Sequence, residues 1–157
     1  MIKKQKLEID DIYLLNLNTF NDKRGSFIET YTDKINKVLG INVDWIQENE
    51  SLSHKNVFRG LHFQKQPYSQ SKLIRVTNGK ILDILVDLRK KSKTFKKCIS
   101  IVLKSRDYVL YVPQGIAHGF LSLENNTIVN YKCDNLYYPK SESGLNPFKS
   151  NLDINWN

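Results

Sequence analysis

Short runs of branched and aromatic residues recur along this chain, and they constrain its fold more than any other feature. From residue 41 onward each run is long enough for one strand, and turns rich in Gly, Pro and Asn separate the runs. This punctuation is typical of an antiparallel sandwich or barrel of the jelly-roll type, so we predict an all-β fold with one or two short helices. The predicted strands cover residues 43–48, 57–64, 72–77, 80–88, 99–103, 108–112, 118–123 and 127–132.

The connections between these runs carry their own signals. Asn78-Gly79 separates two of the runs, and Asn-Gly in that position is a strong short-range indication of a β-hairpin. The polar residues 49–56 are predicted to form a connection rather than a strand. Residues 154–156 read as a strand-like fragment near the end of the sequence.

A single helix is predicted near the start of the chain. Asp33 can cap it, and Ile35, Val38 and Leu39 follow with helical spacing. Gly40 then ends the helix, because glycine adopts the left-handed conformation that a helix C-terminus often needs.

Length, charge and cysteine content narrow the class of protein. The 157 residues predict one domain, 1–157, and no signal peptide or membrane span, so we expect a soluble protein. The net charge of +8 suits an anionic ligand, but the lysines are scattered without a nucleic-acid motif, and we do not expect nucleic-acid binding. Cys98 and Cys133 are far apart and predict two reduced thiols in the cytoplasm.

The predicted strand 57–64 carries three residues that a purely structural strand does not need: Arg59, Gly60 and His62. Arginine can hold a phosphate or carboxylate, and histidine can transfer a proton near neutral pH. In a regular strand positions 59 and 62 point to opposite faces, so a shared site requires a bulge, for which Gly60 is suited. A core histidine beside a surface arginine is the alternative.

Two acids, Asp83 and Asp87, lie four positions apart on an otherwise apolar predicted strand and share one face. They indicate either a polar site inside the protein or a solvent-facing edge near Lys80.

Residues 113–120 contain Pro-x-Gly-x-x-His between two predicted strands, which resembles the second half of the cupin signature. A cupin metal site also needs two histidines in His-x-His spacing with a carboxylate a few residues later. Here Phe63 and Gln64 follow His62, and the chain has only three histidines. We therefore expect no metal.

Several motifs, in order and in register, resemble the dTDP-4-dehydrorhamnose 3,5-epimerase family of nucleotide-sugar epimerases over about residues 10 to 156. The motifs are Asp22-x-Arg24-Gly25-x-Phe27-x-Glu29, Gln47-x-Asn49, Arg59-Gly60-Leu61-His62-Phe63-Gln64, Gln70-x-Lys72-Leu73, Gly79-x-x-x-Asp83, Val86-Asp87-Leu88-Arg89, Ser92-x-Thr94-Phe95, Pro113-x-Gly115-x-Ala117-His118-Gly119-Phe120 and Tyr131-Lys132-Cys133.

The resemblance implies a cupin-type jelly roll, also called a double-stranded β-helix, without metal or organic cofactor. It implies a homodimer in which N-terminal strands are exchanged between subunits. The implied activity is inversion of C3, or of C3 and C5, of a nucleotide-diphosphate 4-ketosugar. Such sugars, deoxysugars or heptoses, would serve surface polysaccharides such as capsule or lipopolysaccharide.

The resemblance also implies roles for individual residues. His62 would be the base, Lys72 would stabilise the enolate, and Tyr131 would be the acid, with a pKa lowered by nearby cations. Arg59 would lie over the sugar or its diphosphate. The remaining expected substrate-binding residues, some acting across the dimer, are Arg24, Phe27, Glu29, Gln47, Asn49, Tyr137 and His118. For His118, an equal alternative is that it packs in the core or supports another side chain. For Tyr137, the alternative is that it packs at a strand end with its hydroxyl in water.

One departure from the family pattern concerns the acid that supports the base. Family members carry a Lys-Asp pair after an Ile-x-Trp segment, and no such pair follows Trp156 in these 157 residues. We therefore predict that Asp83 orients His62, with Asp87 as the alternative. The departure also leaves open a C3-only epimerase, a 3,4-ketoisomerase, or a non-catalytic sugar-nucleotide-binding protein.

Overall fold

Two antiparallel sheets and one small hairpin make up the computed structural model, which describes residues 2–104, 106–149 and 152–156. The strands are β1 (Lys3–Lys6), β2 (Tyr13–Asn16), β3 (Thr19–Asp22), β4 (Gly25–Ile28), β5 (Gln47–Ser53), β6 (Phe58–Gln64), β7 (Lys72–Asn78), β8 (Ile81–Asp87), β9 (Cys98–Leu103), β10 (Tyr108–Val112), β11 (Ile116–Ser122), β12 (Thr127–Cys133) and β13 (Glu142–Gly144). One sheet has six strands in the order β1-β2-β10-β7-β12-β5, and the other has five in the order β13-β6-β11-β8-β9.

The main core lies between the two sheets. Ile74 and Val129 of the six-stranded sheet pack in one cluster with Leu85 and Phe120 of the five-stranded sheet. Every residue of β8 is buried, because its other face is covered by a second cluster that includes Ile154. Burying each large aliphatic side chain contributes roughly 1.5–3 kcal/mol, so this interior strand, paired with β11 and β9, anchors the sandwich.

The helix predicted near the start of the chain is confirmed. It is α1 (Lys34–Leu39), and Gly40 follows it in the left-handed conformation with φ of 76°. Ile35 and Leu39 pack against the outer face of the six-stranded sheet, which explains their helical spacing. A 3₁₀ turn, Pro139–Ser141, precedes β13.

Three local predictions are wrong. Asn78-Gly79 does not close a hairpin, because β7 and β8 belong to different sheets and the turn carries the chain from one to the other. The strand β5 occupies residues 47–53, so it was predicted too early, at 43–48, and most of it was taken for the polar connection 49–56. Residues 154–156 form no strand, although Ile154 is buried.

The bulge predicted in the strand around Gly60 is present in β6. Against β11, His118 pairs with His62 and Phe120 pairs with Arg59, so three residue steps on β6 oppose two on β11. Gly60 has φ of 123°, and a Cβ on Gly119 would lie 2.6 Å from the Arg59 carbonyl oxygen. The close strand contact therefore depends on both glycines, and the bulge places Arg59 and His62 on one side.

Asp87 forms a buried network at the end of β8, so the solvent-facing alternative for the two acids is wrong. Its Oδ2 accepts hydrogen bonds from Ser92 Oγ at 2.6 Å and Thr94 Oγ1 at 2.7 Å, and Arg89 donates to both oxygens at 2.9 to 3.0 Å. Burial alone would raise the pKa of Asp87, but these hydrogen bonds lower it to about 2. The network stabilises the loop that leads from β8 to β9.

This network predicts acid-sensitive stability. Because the folded-state pKa of Asp87 lies below its unfolded value of 3.8, the carboxylate stabilises the fold fully above that value and loses its effect as pH falls through about 2. The contribution at neutral pH is about 2 kcal/mol. We expect Asp87→Asn to lower the unfolding free energy at pH 7, with the deficit shrinking to about half at pH 3.

Denaturant titrations of both proteins between pH 7 and 3 measure that deficit. Asp44→Asn, at an exposed position, is the matched control and should leave stability unchanged. A deficit that is the same at pH 7 and pH 3 would contradict the prediction.

Candidate functional site

A cleft between the sheets holds the three residues expected to perform chemistry. It consists of two adjoining cavities of about 320 and 450 Å³, and His62, Lys72 and Tyr131 line both. The first cavity is also lined by Gln47, Asn49, Phe63, Gln64, Gln70, Tyr137 and Glu142. The second is also lined by Ser51, Phe58, Arg59, Gly60, His118, Gly119 and Phe120.

The three residues reach the cleft from different sheets. His62 lies on β6 of the five-stranded sheet, whereas Lys72 on β7 and Tyr131 on β12 come from neighbouring strands of the six-stranded sheet. Lys72 Nζ lies 5.7 Å from the centre of the Tyr131 ring. An imidazole on one wall thus faces an amine and a phenol on the other, three groups that can each accept or donate a proton.

Burial shifts the pKa values of the two residues on the six-stranded sheet in opposite directions. It lowers the pKa of Lys72, because the surrounding protein solvates the ammonium less well than water does. It also raises the pKa of Tyr131, and this outweighs the opposite effect of Arg59. The prediction that nearby cations lower the pKa of Tyr131 is therefore wrong. Tyr131 remains a neutral phenol at physiological pH, which suits it to donate a proton.

The prediction that Asp83 orients His62 is also wrong. Asp83 is fully buried, and its Oδ2 is hydrogen-bonded at 2.9 Å to Nε2 of His118, which is itself largely buried. The other oxygen, Oδ1, has no hydrogen-bond partner among the described residues. Asp87 does not replace it, because its carboxylate is occupied by Arg89, Ser92 and Thr94. Among the residues that the structure describes, the acid paired with His62 is instead Glu142, whose Oε1 lies 3.8 Å from His62 Nδ1.

Five further predicted residues line the cleft: Gln47, Asn49 and Tyr137 in the first cavity, and Arg59 and His118 in the second. Arg59 is held in the second cavity by donating to Ser53 Oγ at 2.9 Å and to the Leu52 carbonyl at 3.1 Å. In the first cavity Gln47 donates to Asn49 Oδ1 at 3.0 Å and accepts from the Tyr137 backbone N–H at 2.8 Å. These bonds position polar groups at both ends of the cleft.

Three predicted residues are not brought to this cleft. Arg24 and Phe27 lie on the β3–β4 hairpin, which lines its own cavity of about 290 Å³. Arg24 is paired with Asp22 at 2.6 Å, and Glu29 lies 3.8 Å from Lys34. Within one chain they therefore do not contact the residues around His62.

The described part of the chain offers neither a metal-binding cluster nor a membrane-spanning helix. No group of three or more His, Cys, Asp or Glu side chains in this part of the chain could hold a metal ion. No helix formed by these residues is long and apolar enough to cross a membrane.

Comparison with known proteins decides the family. The family model described as dTDP-4-dehydrorhamnose 3,5-epimerase matches residues 6–157. The chain belongs to the dTDP-4-dehydrorhamnose 3,5-epimerase family. It is a carbohydrate isomerase of deoxysugar biosynthesis, an epimerase of nucleotide-linked 4-ketosugars. The all-β cupin-type fold predicted from the sequence is confirmed.

Individual members of the family are similar over nearly the whole chain. The dTDP-4-dehydrorhamnose 3,5-epimerase of Methanothermobacter thermautotrophicus is 40% identical over 152 residues, covering 96% of this chain and 82% of that protein. The crystal structure of the Bacillus anthracis enzyme with TDP and PPi bound is 41% identical with a TM-score of 0.94, covering 99% of this chain and 90% of that one. The Legionella pneumophila enzyme in complex with dTDP-4-keto-L-rhamnose is 34% identical with a TM-score of 0.94, covering 99% and 84%.

Sequence reasoning missed several residues that line the epimerase cleft. Gln64 received no role in the cleft, yet it donates to the Tyr68 and Leu136 carbonyls and accepts from the Tyr138 backbone N–H. It thereby holds the loop that carries Tyr137. Glu142 lies in a polar stretch without a strand pattern, so no local signal indicated that it would reach His62.

Proposed function

We propose that this epimerase inverts C3 and C5 of a dTDP-linked 4-keto-6-deoxyhexose, with His62 as base, Lys72 as enolate stabiliser and Tyr131 as acid. The observation that carries the proposal is the placement of His62 and Tyr131 on opposite walls of one cleft. Inversion of a carbon centre requires removal of a proton from one face and delivery of another from the opposite face. Two proton-transfer groups on facing sheets satisfy this requirement.

The steps follow from the chemistry of the side chains. Neutral His62 removes the proton on the carbon next to the ketone, and the C–H electron pair moves to form an enolate on O4. The Lys72 ammonium stabilises that negative oxygen in a partly buried site, where a charge interaction is stronger than in water. The Tyr131 hydroxyl then protonates the carbon from the other face. Proton exchange with solvent restores the neutral phenol and the neutral imidazole.

The nucleotide and diphosphate are proposed to bind at the ends of the cleft. Arg59 is suited to the diphosphate, because a guanidinium binds phosphate oxygens in a bidentate manner. Gln47, Asn49 and Tyr137 offer amide and aromatic groups to the nucleotide or sugar. The TDP bound in the Bacillus anthracis enzyme supports this class of ligand. His118, fixed by Asp83, is proposed to contact the sugar beside His62.

A homodimer would bring the remaining predicted residues to the site. The β3–β4 hairpin belongs to neither large sheet and exposes Phe20 and Phe27 to 59% and 68%. The strand β5, which lines the cleft, lies at an open edge of the six-stranded sheet. We propose that the hairpin of one subunit docks on this edge of its partner and delivers Arg24, Phe27 and Glu29 there. Sedimentation equilibrium tests this, and a monomer at micromolar concentration would contradict it.

The experiment that tests the proposed reaction is a solvent-deuterium exchange assay with dTDP-4-keto-6-deoxyglucose in heavy water. We expect deuterium at both C3 and C5 of the epimerised product. Exchange at C3 alone would establish the narrower 3-epimerase, and movement of the ketone would establish a ketoisomerase. Bound substrate without exchange would refute the enzymatic proposal in favour of sugar-nucleotide binding.

A cytoplasmic location stays a prediction, with which the free thiols of Cys98 and Cys133 agree.

Lys72 gives a prediction with a pH signature. Lys72→Gln removes the charge that stabilises the enolate, and we expect kcat to fall about 100- to 1000-fold. Because burial lowers the pKa of Lys72 below 10.5, the wild-type enzyme should lose activity with rising pH before a solvent-exposed lysine would deprotonate. Lys72→Arg should move this alkaline loss to higher pH, since a guanidinium stays protonated.

The measurement is kcat as a function of pH for both variants. Lys55→Gln, an exposed lysine in the turn before β6, is the matched control and should retain wild-type activity. An alkaline loss that is unchanged in Lys72→Arg would assign it to another group.

A further inference from the structure

Glu142 carries a carboxylate to which the sequence assigned no role. It lies on β13, the strand paired with the one that carries His62. In the pairing of β13 with β6, Glu142 is opposite Gln64 and Gly144 is opposite His62. Residues opposite each other on antiparallel strands point to the same face, and so do residues two apart on one strand. Glu142 and His62 therefore share a face on a diagonal that long side chains can span.

The carboxylate of Glu142 is held in a defined orientation. The Tyr137 hydroxyl donates to its Oε2 at 2.7 Å, which leaves Oε1 directed at Nδ1 of His62, 3.8 Å away. The same hydrogen bond raises the pKa of Tyr137, so the phenol remains a donor. Among the described residues no other acid forms an ion pair with His62, because Asp83 is bonded to His118 and Asp87 to Arg89.

The distance of 3.8 Å is too long for a hydrogen bond, but it is short enough for an ion pair with a protonated imidazole. The His62 side chain is 57% exposed and lines both cavities of the cleft. A carboxylate next to Nδ1 favours the tautomer with the proton on that nitrogen, which leaves Nε2 free to accept a proton. It also stabilises the imidazolium that forms when His62 takes the substrate proton.

We propose that Glu142, held by Tyr137, is the positioning residue of His62. It sets the imidazole tautomer and balances the charge of the imidazolium without contacting the reacting carbon. This inference rests on the proposed role of His62 as the base.

The test compares Glu142→Gln with His62→Gln for kcat, KM and dTDP affinity by calorimetry. We expect Glu142→Gln to lower kcat about 10- to 100-fold, with the dissociation constant for dTDP within about twofold of wild type. Glu142→Asp keeps the charge on a side chain one methylene shorter and should retain more of the turnover. Sodium formate should partly restore kcat in Glu142→Ala, because it supplies a carboxylate, and should not do so in His62→Gln.

Glu8→Gln is the matched control, since it breaks a carboxylate–lysine pair of 2.8 Å away from the cleft and should leave kcat unchanged. Wild-type kcat in Glu142→Gln, together with an inactive His62→Gln, would overturn this inference alone. A rise in the dTDP dissociation constant or in KM at constant kcat would also overturn it, by making Glu142 a substrate-binding residue. An active His62→Gln would overturn the proposed function itself. If Glu142→Gln fails to fold, Glu142→Asp and formate rescue of Glu142→Ala still decide the matter.

Discussion

Replacing His62 with glutamine is expected to lower kcat/KM by at least about 1000-fold, which corresponds to roughly 4 kcal/mol of lost transition-state stabilisation. Glutamine fills a similar space and can form hydrogen bonds, but it cannot carry a proton between carbon and solvent at neutral pH. The variant should also lose deuterium exchange at both C3 and C5. Affinity for dTDP should be unchanged, because the proposed nucleotide contacts lie on other residues.

His54→Gln is the matched control for this experiment. His54 is exposed after the end of β5, does not line either cavity of the cleft, and should be replaceable without loss of turnover. His118 is unsuitable as a control, because removing it would leave the buried Asp83 without its imidazole partner and would destabilise the fold. Full turnover in His62→Gln would exclude His62 as the base.

Replacing Tyr131 with phenylalanine is expected to separate proton removal from inversion. The variant keeps His62 and Lys72, so the enolate still forms, but the donor on the opposite wall is lost. Formation of the epimer should fall about 100- to 10,000-fold. Deuterium should still enter the substrate with its original configuration, because protonated His62 exchanges with solvent and returns the label to the same face.

Nuclear magnetic resonance of the sugar in heavy water measures both outcomes in one sample. Tyr108→Phe, at the exposed start of β10, is the matched control and should epimerise at the wild-type rate. Wild-type epimerisation by Tyr131→Phe would exclude Tyr131 as the acid. Loss of exchange together with epimerisation would show that the hydroxyl also takes part in forming the enolate.

Local patterns predicted those parts of the fold that depend on neighbouring residues. Strand β10 was predicted at 108–112 and runs from Tyr108 to Val112, because its apolar residues are buried within the sandwich. The helix α1 lies where it was predicted and ends at the left-handed Gly40, but the Asp33 side chain forms no capping hydrogen bond. The bulge at Gly60 was predicted from strand geometry alone, because Arg59 and His62 can share one site only if the strand between them is irregular.

Hydrophobic periodicity does not detect a strand whose inward-facing residues are polar because they line the cleft. Gln47, Asn49 and Ser51 alternate with exposed residues along β5, but they line cavities instead of packing in a core, so the strand has no hydrophobic period. The hairpin predicted at Asn78-Gly79 is absent for another reason. Its sequence predicts a turn correctly, but whether the flanking strands pair with each other depends on strands that are distant in sequence.

The sequence by itself determined the strand-rich character of this epimerase, its family, and the chemical types of the three residues proposed to act on the sugar. Only the tertiary structure decided that His62 stands on the opposite wall from Lys72 and Tyr131, that Asp83 pairs with His118, and that Glu142 reaches the base. The physical reason is that residue spacing specifies which face of a strand a side chain occupies. Pairing between sheets and strands far apart in sequence then specifies what that face meets.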